Sequence, residues 1–249
     1  MKIELSILDI IEETINTKSF ILKDVNNKIK DFNDGQYITL NIIQNNELIK
    51  RSYSISSPAE ILPLLRITVK NNSNSPEYTS FCNNLKIGDI LEAEPITGNF
   101  YITEKENINK YLFIAAGSGI TPIISMIRGI TKRRQDVEVK LLYQNRNEDL
   151  VIFKDEIEEL SKKYSNFSYE LIFSKPVDIQ KHESIRINPA FVSYYYVKNK
   201  ELINSSEIFV CGPNQFIDMI FGTLKEFGIK ENRLFREIFV KKEVLDTKY

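Results

Sequence analysis

The sequence predicts a two-domain protein: an N-terminal antiparallel β-barrel followed by a C-terminal α/β domain with a Rossmann-like parallel sheet. Three observations carry that expectation. Up to about residue 103 the apolar stretches are short and β-type, separated by Asn, Gly, Asp and Pro turns. From Tyr111 onward the rhythm changes to strand, long helix, strand. Between the two lies the polar stretch "TEKENINK", residues 103 to 110, with the composition of a linker or exposed hairpin. With 249 residues and 42% hydrophobic content, the chain has the material for two medium cores.

In the first half, "KIELSILDI", "FILKDV", "GQYITLNII", "SYSIS", "LLRITVK" and "ILEAE" each read as a strand. Short strands at this density suggest a small barrel, which leaves no long edge unpaired. In the second half, "YLFIAAG", "VEVKLLYQ", "FSYELIFS" and "EIFVCG" read as buried strands. Helical patterns such as "TPIISMIRGITKRR" and "FKDEIEELSKKY" separate them. That alternation predicts a parallel sheet covered by helices. The domains are therefore expected at residues 1–103 and 104–249, the second including the tail "VKKEVLDTKY".

Charge excludes several function classes. With 33 basic and 34 acidic residues the net charge is -1, so no nucleic-acid or membrane partner is expected from bulk electrostatics. No window of about 18 apolar residues predicts a membrane span, and the start "MKIELSILDI" lacks the pattern of a secretory leader. Cys82 and Cys211, far apart, cannot form a metal cluster by themselves. A soluble protein of the reducing cytoplasm is expected, with small ligands as its partners and no bound metal. The single histidine, His182, lies in the polar "DIQKHESIRINP" and reads as a surface residue. The oligomeric state is not readable.

Three stretches invite a chemical reading. "AAGSGITP" places Gly117 and Gly119 between a strand and a helix in a chain with only nine glycines, and Pro122 fits the first helical turn. Ligands of open α/β sheets bind beyond the carboxyl ends of the strands, where a helix amino terminus offers free N–H groups. A tight turn without a ligand accounts for the same glycines. "RSYSISSP", residues 51 to 58, is by itself an ordinary strand and turn; "FVCGPNQFIDMI", residues 209 to 220, is a strand, a Gly-Pro turn and a helix.

Taken together and in this order, these stretches resemble the ferredoxin-NADP reductase superfamily over nearly the whole chain. "DFNDGQYITL" is similar to the barrel's F-x-x-G-Q-Y segment, "RSYS" to R-x-Y-S, and "IGDILEAEPITGNF" to the family's G-D turn and the run that follows it. "GSGITP" is similar to the nucleotide-binding G-x-G-x-x-P, "CGP" to a later strand end, and "FREIF" to the late E-x-F. The resemblance is greatest to the reductase portion of phenylacetate-pathway and related oxygenase reductases, many of which carry a four-cysteine [2Fe-2S] domain. Four thiolates are needed to hold such a cluster, and two cysteines do not supply them.

The resemblance implies roles at matching positions. Arg51 would pair with a flavin phosphate, Tyr53 would lie against the isoalloxazine, and Ser54 would reach the hydride-accepting region. Gly117 and Gly119 would admit the pyrophosphate of the nucleotide. Thr121, Pro122 and Cys211 would border the nicotinamide pocket, Gly212 and Pro213 would shape its turn, and Glu237 would lie near it. The family's G-x-x-S segment is replaced by "PEYTSFCNNLKIGD", where Thr79 stands at the serine position. FAD is expected rather than FMN. After the strand "LLYQNRNEDL" the first acid is Glu148, preceded by Arg146, which favours NADPH over NADH.

The function implied is hydride transfer from NAD(P)H to FAD, then electron delivery to a separate acceptor such as ferredoxin or flavodoxin. The alternatives are a reductase of free flavin, quinone or another small acceptor, and a non-catalytic flavin-binding partner subunit.

Overall fold

The computed structural model describes residues 2–44, 47–71, 82, 84–105 and 107–239. Six strands make the first sheet: β1 (Ile3–Thr14), β2 (Thr17–Asp24), β3 (Tyr37–Gln44), β4 (Glu47–Ser54), β5 (Leu64–Lys70) and β6 (Ile90–Ala93). They are antiparallel in the order β4-β3-β6-β1-β2-β5. The two end strands meet just past β4, where Ile55 bridges Ile67 and the Ser56 N–H donates to the Arg66 carbonyl at 2.7 Å. That contact closes the sheet into the expected barrel and removes its edges. Strand alternation fills the interior, with Ile3, Leu5 and Ile7 of β1 facing Phe20 and Leu22 of β2 and Ile38, Leu40 and Ile42 of β3.

The second sheet is parallel, in the order β11-β10-β7-β8-β9. Its strands are β7 (Lys110–Ala116), β8 (Glu138–Asn145), β9 (Phe167–Phe173), β10 (Glu207–Cys211) and β11 (Leu234–Glu237). Five helices accompany them: α1 (Ile120–Arg133), α2 (Lys154–Lys163), α3 (Pro189–Lys198), α4 (Lys200–Ser205) and α5 (Asn214–Glu226). Strand β7 shows why these sequences read as unbroken apolar runs. Tyr111, Phe113 and Ala115 enter one core with α1 and α2, while Leu112, Ile114 and Ala116 enter another with α3 and α5. Helix α1 buries Ile120, Ile123, Ile124, Ile127 and Ile130, the spacing of one helical face, and each contributes about 1.5–3 kcal/mol.

The two halves are joined by more than a linker. Phe100 leaves the barrel and packs edge-on against Phe209, 5.6 Å between centroids, in the second unit's core. Asp34, at the barrel's surface, accepts from the Ala59 N–H and from the Arg133 guanidinium of α1, both at 2.8 Å. Gly129 of α1 makes that approach possible, since a Cβ there would lie 1.8 Å from the Asp34 carboxylate.

One element differs from the sequence expectation. The fourth strand starts at Glu47, upstream of "SYSIS", because its pairing with β3 runs through the hairpin. Helices α3 and α4 occupy "PAFVSYYYVKNKELINS", a stretch rich in aromatic and β-branched residues to which the sequence pattern assigned no element. Their start carries a helix signal all the same: Asn188 caps the Phe191 N–H at 2.8 Å, with Pro189 following it. Among the described residues no helix is long and apolar enough to cross a membrane.

Candidate functional site

The carboxyl ends of β7, β8, β10 and β11 bring most of the candidate residues of the second half to one edge of the sheet. Strand β7 ends in the turn Gly117–Gly119, which runs straight into α1. The two glycines answer different demands. Gly117 has φ +54°, a left-handed conformation that costs an L-residue about 1–2 kcal/mol. Gly119 needs space: a Cβ there would lie 2.1 Å from the carbonyl oxygen of Cys211 and 2.7 Å from the Gly212 nitrogen. The turn is thus fitted against the end of β10, which accounts for Gly119 without a ligand. The Gly117 carbonyl accepts from the Tyr143 hydroxyl at 3.0 Å, and the Thr121 hydroxyl donates to the Ser118 carbonyl at 3.0 Å.

Cys211 ends β10 fully buried, and Glu237 ends β11 as its register partner. Burial, with a smaller contribution from Glu237, pushes the Cys211 thiol well up, so the sulfur is neutral at neutral pH. Burial also raises the Glu237 carboxyl to about 7, leaving it in both protonation states near neutrality. Gly212 sits against Ala116 and Phe216, where a Cβ would meet each at 3.0 Å. Pro213 precedes α5 with its carbonyl accepting from the Phe216 N–H. Pro122 lies in the first turn of α1, buried, as expected.

One participant was missed in the sequence. Lys70, the last residue of β5, brings its amine to within 3.7 Å of where a Gly117 side chain would start, and burial lowers its pKa. Its signal was available: two cations, Arg66 and Lys70, in a largely buried seven-residue strand.

On the barrel side, Tyr53 is buried within the barrel core and Ser54 is buried at the end of β4. The pleat sends Arg51 and Tyr53 to one face and Ser54 to the other. Arg51 makes no ion pair among the described residues; its guanidinium donates only to the Lys50 carbonyl, at 3.2 Å. Thr79 lies outside the described residues. Arg146 follows β8 and is exposed, with its carbonyl accepting from the Lys175 N–H at 2.7 Å. The nearby acid, Glu148, is turned onto the loop that follows β9, accepting from the Val177 and Asp178 N–H groups at 2.9 and 3.2 Å. His182 joins that loop 3.8 Å from Glu148, its ring edge-on to Phe173 at 4.8 Å, so it is packed on one side rather than freely solvated.

Residues 113–221 match the family of oxidoreductase NAD-binding domains. The chain is 29% identical over 239 residues to the ferredoxin reductase component of 3-ketosteroid-9-alpha-monooxygenase from Rhodococcus rhodochrous, covering 94% of this chain and 64% of that one. It is similar to the reductase components of oxygenase systems. The glycine betaine monooxygenase reductase subunit of Pseudomonas aeruginosa is 26% identical, covering 92% of this chain and 62% of that one. The chain therefore spans less than two thirds of the length of these two relatives.

Solved structures share the fold. The Flavohem-like FAD/NAD binding domain of nitric oxide dioxygenase from Vibrio cholerae superposes with a TM-score of 0.78 at 21% identity, covering 95% of this chain and 98% of that one. The Amycolatopsis cytochrome P450 reductase GcoB gives 0.82 at 18% identity, covering 96% and 70%. The glycine turn and Cys211–Pro213 lie inside the matched NAD-binding segment. The barrel and Glu237 lie outside it.

Proposed function

We propose that the protein is an NAD(P)H-dependent flavoenzyme in which residues 1–103 bind FAD, residues 104–249 bind the pyridine nucleotide, and electrons leave to a separate acceptor such as ferredoxin or flavodoxin. The observation that carries the reading is the hydrogen bond from the Ser125 hydroxyl to the Ser57 carbonyl, 2.8 Å. Ser57 is three residues past Ser54, and Ser125 is about one helical turn past Thr121. The end of the "RSYS" strand is thereby set beside the helix that begins at the glycine turn, as two stacked cofactor rings would require. Two features fit the cofactors: the Arg51 guanidinium without an ion pair among the described residues, and the open face of Gly117 beside the Lys70 amine.

When bound, the flavin accepts a hydride from the reduced nicotinamide and releases the electrons singly; that chemistry is its own. The protein's residues align the two rings and limit water. Arg51 holds flavin phosphate, Tyr53 and Ser54 flank the ring system, Thr121 and Cys211 wall the nicotinamide pocket, and the Glu237 carboxyl holds or releases a proton there. The reducing cytoplasm suits both free thiols. A yellow purified protein bleached by NADPH without oxygen supports the reading; a colourless chain that binds no added FAD overturns it. Turnover with free flavin or a quinone exceeding that with ferredoxin and flavodoxin would replace the acceptor class.

Two outcomes are expected within this reading. Arg51→Ala weakens flavin retention by about 1.5–3 kcal/mol, the contribution of a hydrogen bond to a charged group. Full flavin content after dialysis would remove Arg51 from the phosphate contact. The second concerns nucleotide choice, for which we infer NADPH: Arg146 is exposed beyond β8 while Glu148 is occupied by the loop after β9. Arg146→Ala is then expected to lower kcat/KM for NADPH by roughly tenfold or more and to spare NADH. Equal losses for both, or a wild type that prefers NADH, would assign Arg146 to the solvated surface.

A further inference from the structure

Arg66 lies in the middle of β5, only 7% exposed, and all three nitrogens of its guanidinium donate hydrogen bonds. On the barrel side its Nε donates to the Ser56 hydroxyl at 3.2 Å and its Nη2 to the Ser56 carbonyl at 3.0 Å. Its backbone takes part as well: the Arg66 N–H donates to the Ser57 hydroxyl at 2.9 Å, and its carbonyl accepts from the Ser56 N–H at 2.7 Å. The two residues that follow Ser54 and Ile55 are thus fixed from both ends by one arginine.

On the other side the same guanidinium forks onto Glu156 of α2, Nη1 to Oε2 at 2.7 Å and Nη2 to Oε1 at 3.2 Å. Arg128 of α1 reaches the same carboxylate at 3.3 Å. Phe153 supplies the floor, with the Arg66 guanidinium carbon 4.4 Å from its ring centroid. Phe153 is fully packed and has φ +62°, a conformation that costs a bulky residue of order 1–3 kcal/mol. That strain is retained where α2 starts, which sets both the ring and, one turn later, Glu156 against Arg66.

We propose that the Arg66–Glu156 fork is a positioning device: it locks the strand end that carries Tyr53 and Ser54 to the helices of the second unit, and so sets the distance and angle between the two bound rings. The inference rests on the reductase reading. Neither residue needs to touch a cofactor. Planar two-point pairing suits the task, because a single contact would let the guanidinium turn on the carboxylate, whereas a fork fixes their relative orientation. Burial keeps water from competing for the pair.

Glu156→Gln tests this, since it keeps the side chain's volume and removes the charge. The loaded enzyme is expected to show a limiting rate of flavin reduction lower by about tenfold or more, from misaligned rings. NAD(P)H dissociation constant and flavin content are expected to stay within about twofold of wild type, because no ligand contact is lost. The weak long-wavelength absorbance of stacked nicotinamide and flavin should fall in parallel. On the flavin-free protein, hydrogen exchange should rise in the peptides holding Ser56, Arg66 and α2, and Glu156→Asp, with the charge kept, should recover part of both effects. Wild-type rate and unchanged exchange in Glu156→Gln overturn the proposal, as does a rate loss that only tracks flavin content or nucleotide affinity. Should Glu156→Gln fail to fold, Arg66→Lys, which keeps a charge but cannot fork, carries the same comparison, and wild-type rate with wild-type exchange there overturns it. A wild type that takes up no flavin sinks the reductase reading instead, and the exchange arm still decides whether the fork locks the units.

Discussion

Gly119→Ala is expected to cost about 3 kcal/mol, the upper part of the range for overpacking, and to lower Tm by roughly 6–12 °C for a chain of this size. The cause is steric. The new methyl would sit 2.1 Å from the Cys211 carbonyl oxygen and 2.4 Å from its carbon, and both are backbone atoms of a central strand that cannot swing away. Backbone conformation contributes nothing, because Gly119 has φ -62° and any residue adopts it. The seam between the glycine turn and the end of β10 must open, and that seam is where Cys211, Gly212 and α1 meet, so nucleotide affinity falls with stability. Gly117→Ala separates the two effects. There the nearest atom is the movable Lys70 amine at 3.7 Å, and the cost is the φ +54° conformation alone, about 1–2 kcal/mol. Thermal unfolding of the two variants decides the matter: a Gly119→Ala protein melting within about 2 °C of wild type would mean that the turn and β10 are not packed as described.

Cys211→Ala is expected to slow reduction of the bound flavin by NAD(P)H about 100-fold while leaving the flavin in place. The sulfur is fully buried between the glycine turn and β11, and its thiol stays protonated, so it acts by position and not as a nucleophile or acid. On the proposed reading, removing it leaves a void in the wall of the nicotinamide pocket, into which the ring would sink away from its partner. The barrel, with Arg51 and Tyr53, is not touched by the change, which is why flavin content serves as the internal control. Cys211→Ser keeps the volume and a neutral donor, and should retain more of the rate than alanine does. Rapid-mixing traces of Cys211→Ala that overlay those of wild type would remove Cys211 from the site.

The parts of this protein that were readable before folding are those governed by neighbours in the chain. The period-2 strands of the barrel and the helix face of α1 each follow from apolar spacing within a few residues. The run "YLFIAAG" declares a strand buried on both faces, and Gly117 marks the left-handed turn that ends it. Other relations join residues far apart in sequence. Strand β11 is four residues long and gives almost no local signal; it exists because Leu234–Glu237 finds a parallel partner in β10, and that pairing alone brings Glu237 to Cys211. Gly119 looked like a concession to a ligand, yet its immediate demand comes from a carbonyl more than ninety residues later in the chain.

By itself, then, the sequence determined two cores, their element types and the motifs at strand ends, because hydrophobic period and turn chemistry are local. Only the tertiary structure decided that Lys70 reaches Gly117, that burial raises Glu237 to about 7, and that Arg66 is shared between Ser56 and Glu156. Each of these depends on which surfaces close over which charge. A carboxylate or guanidinium carries the same letter whether water or a neighbouring domain surrounds it, and its energy differs because closure of the fold replaces one environment with the other.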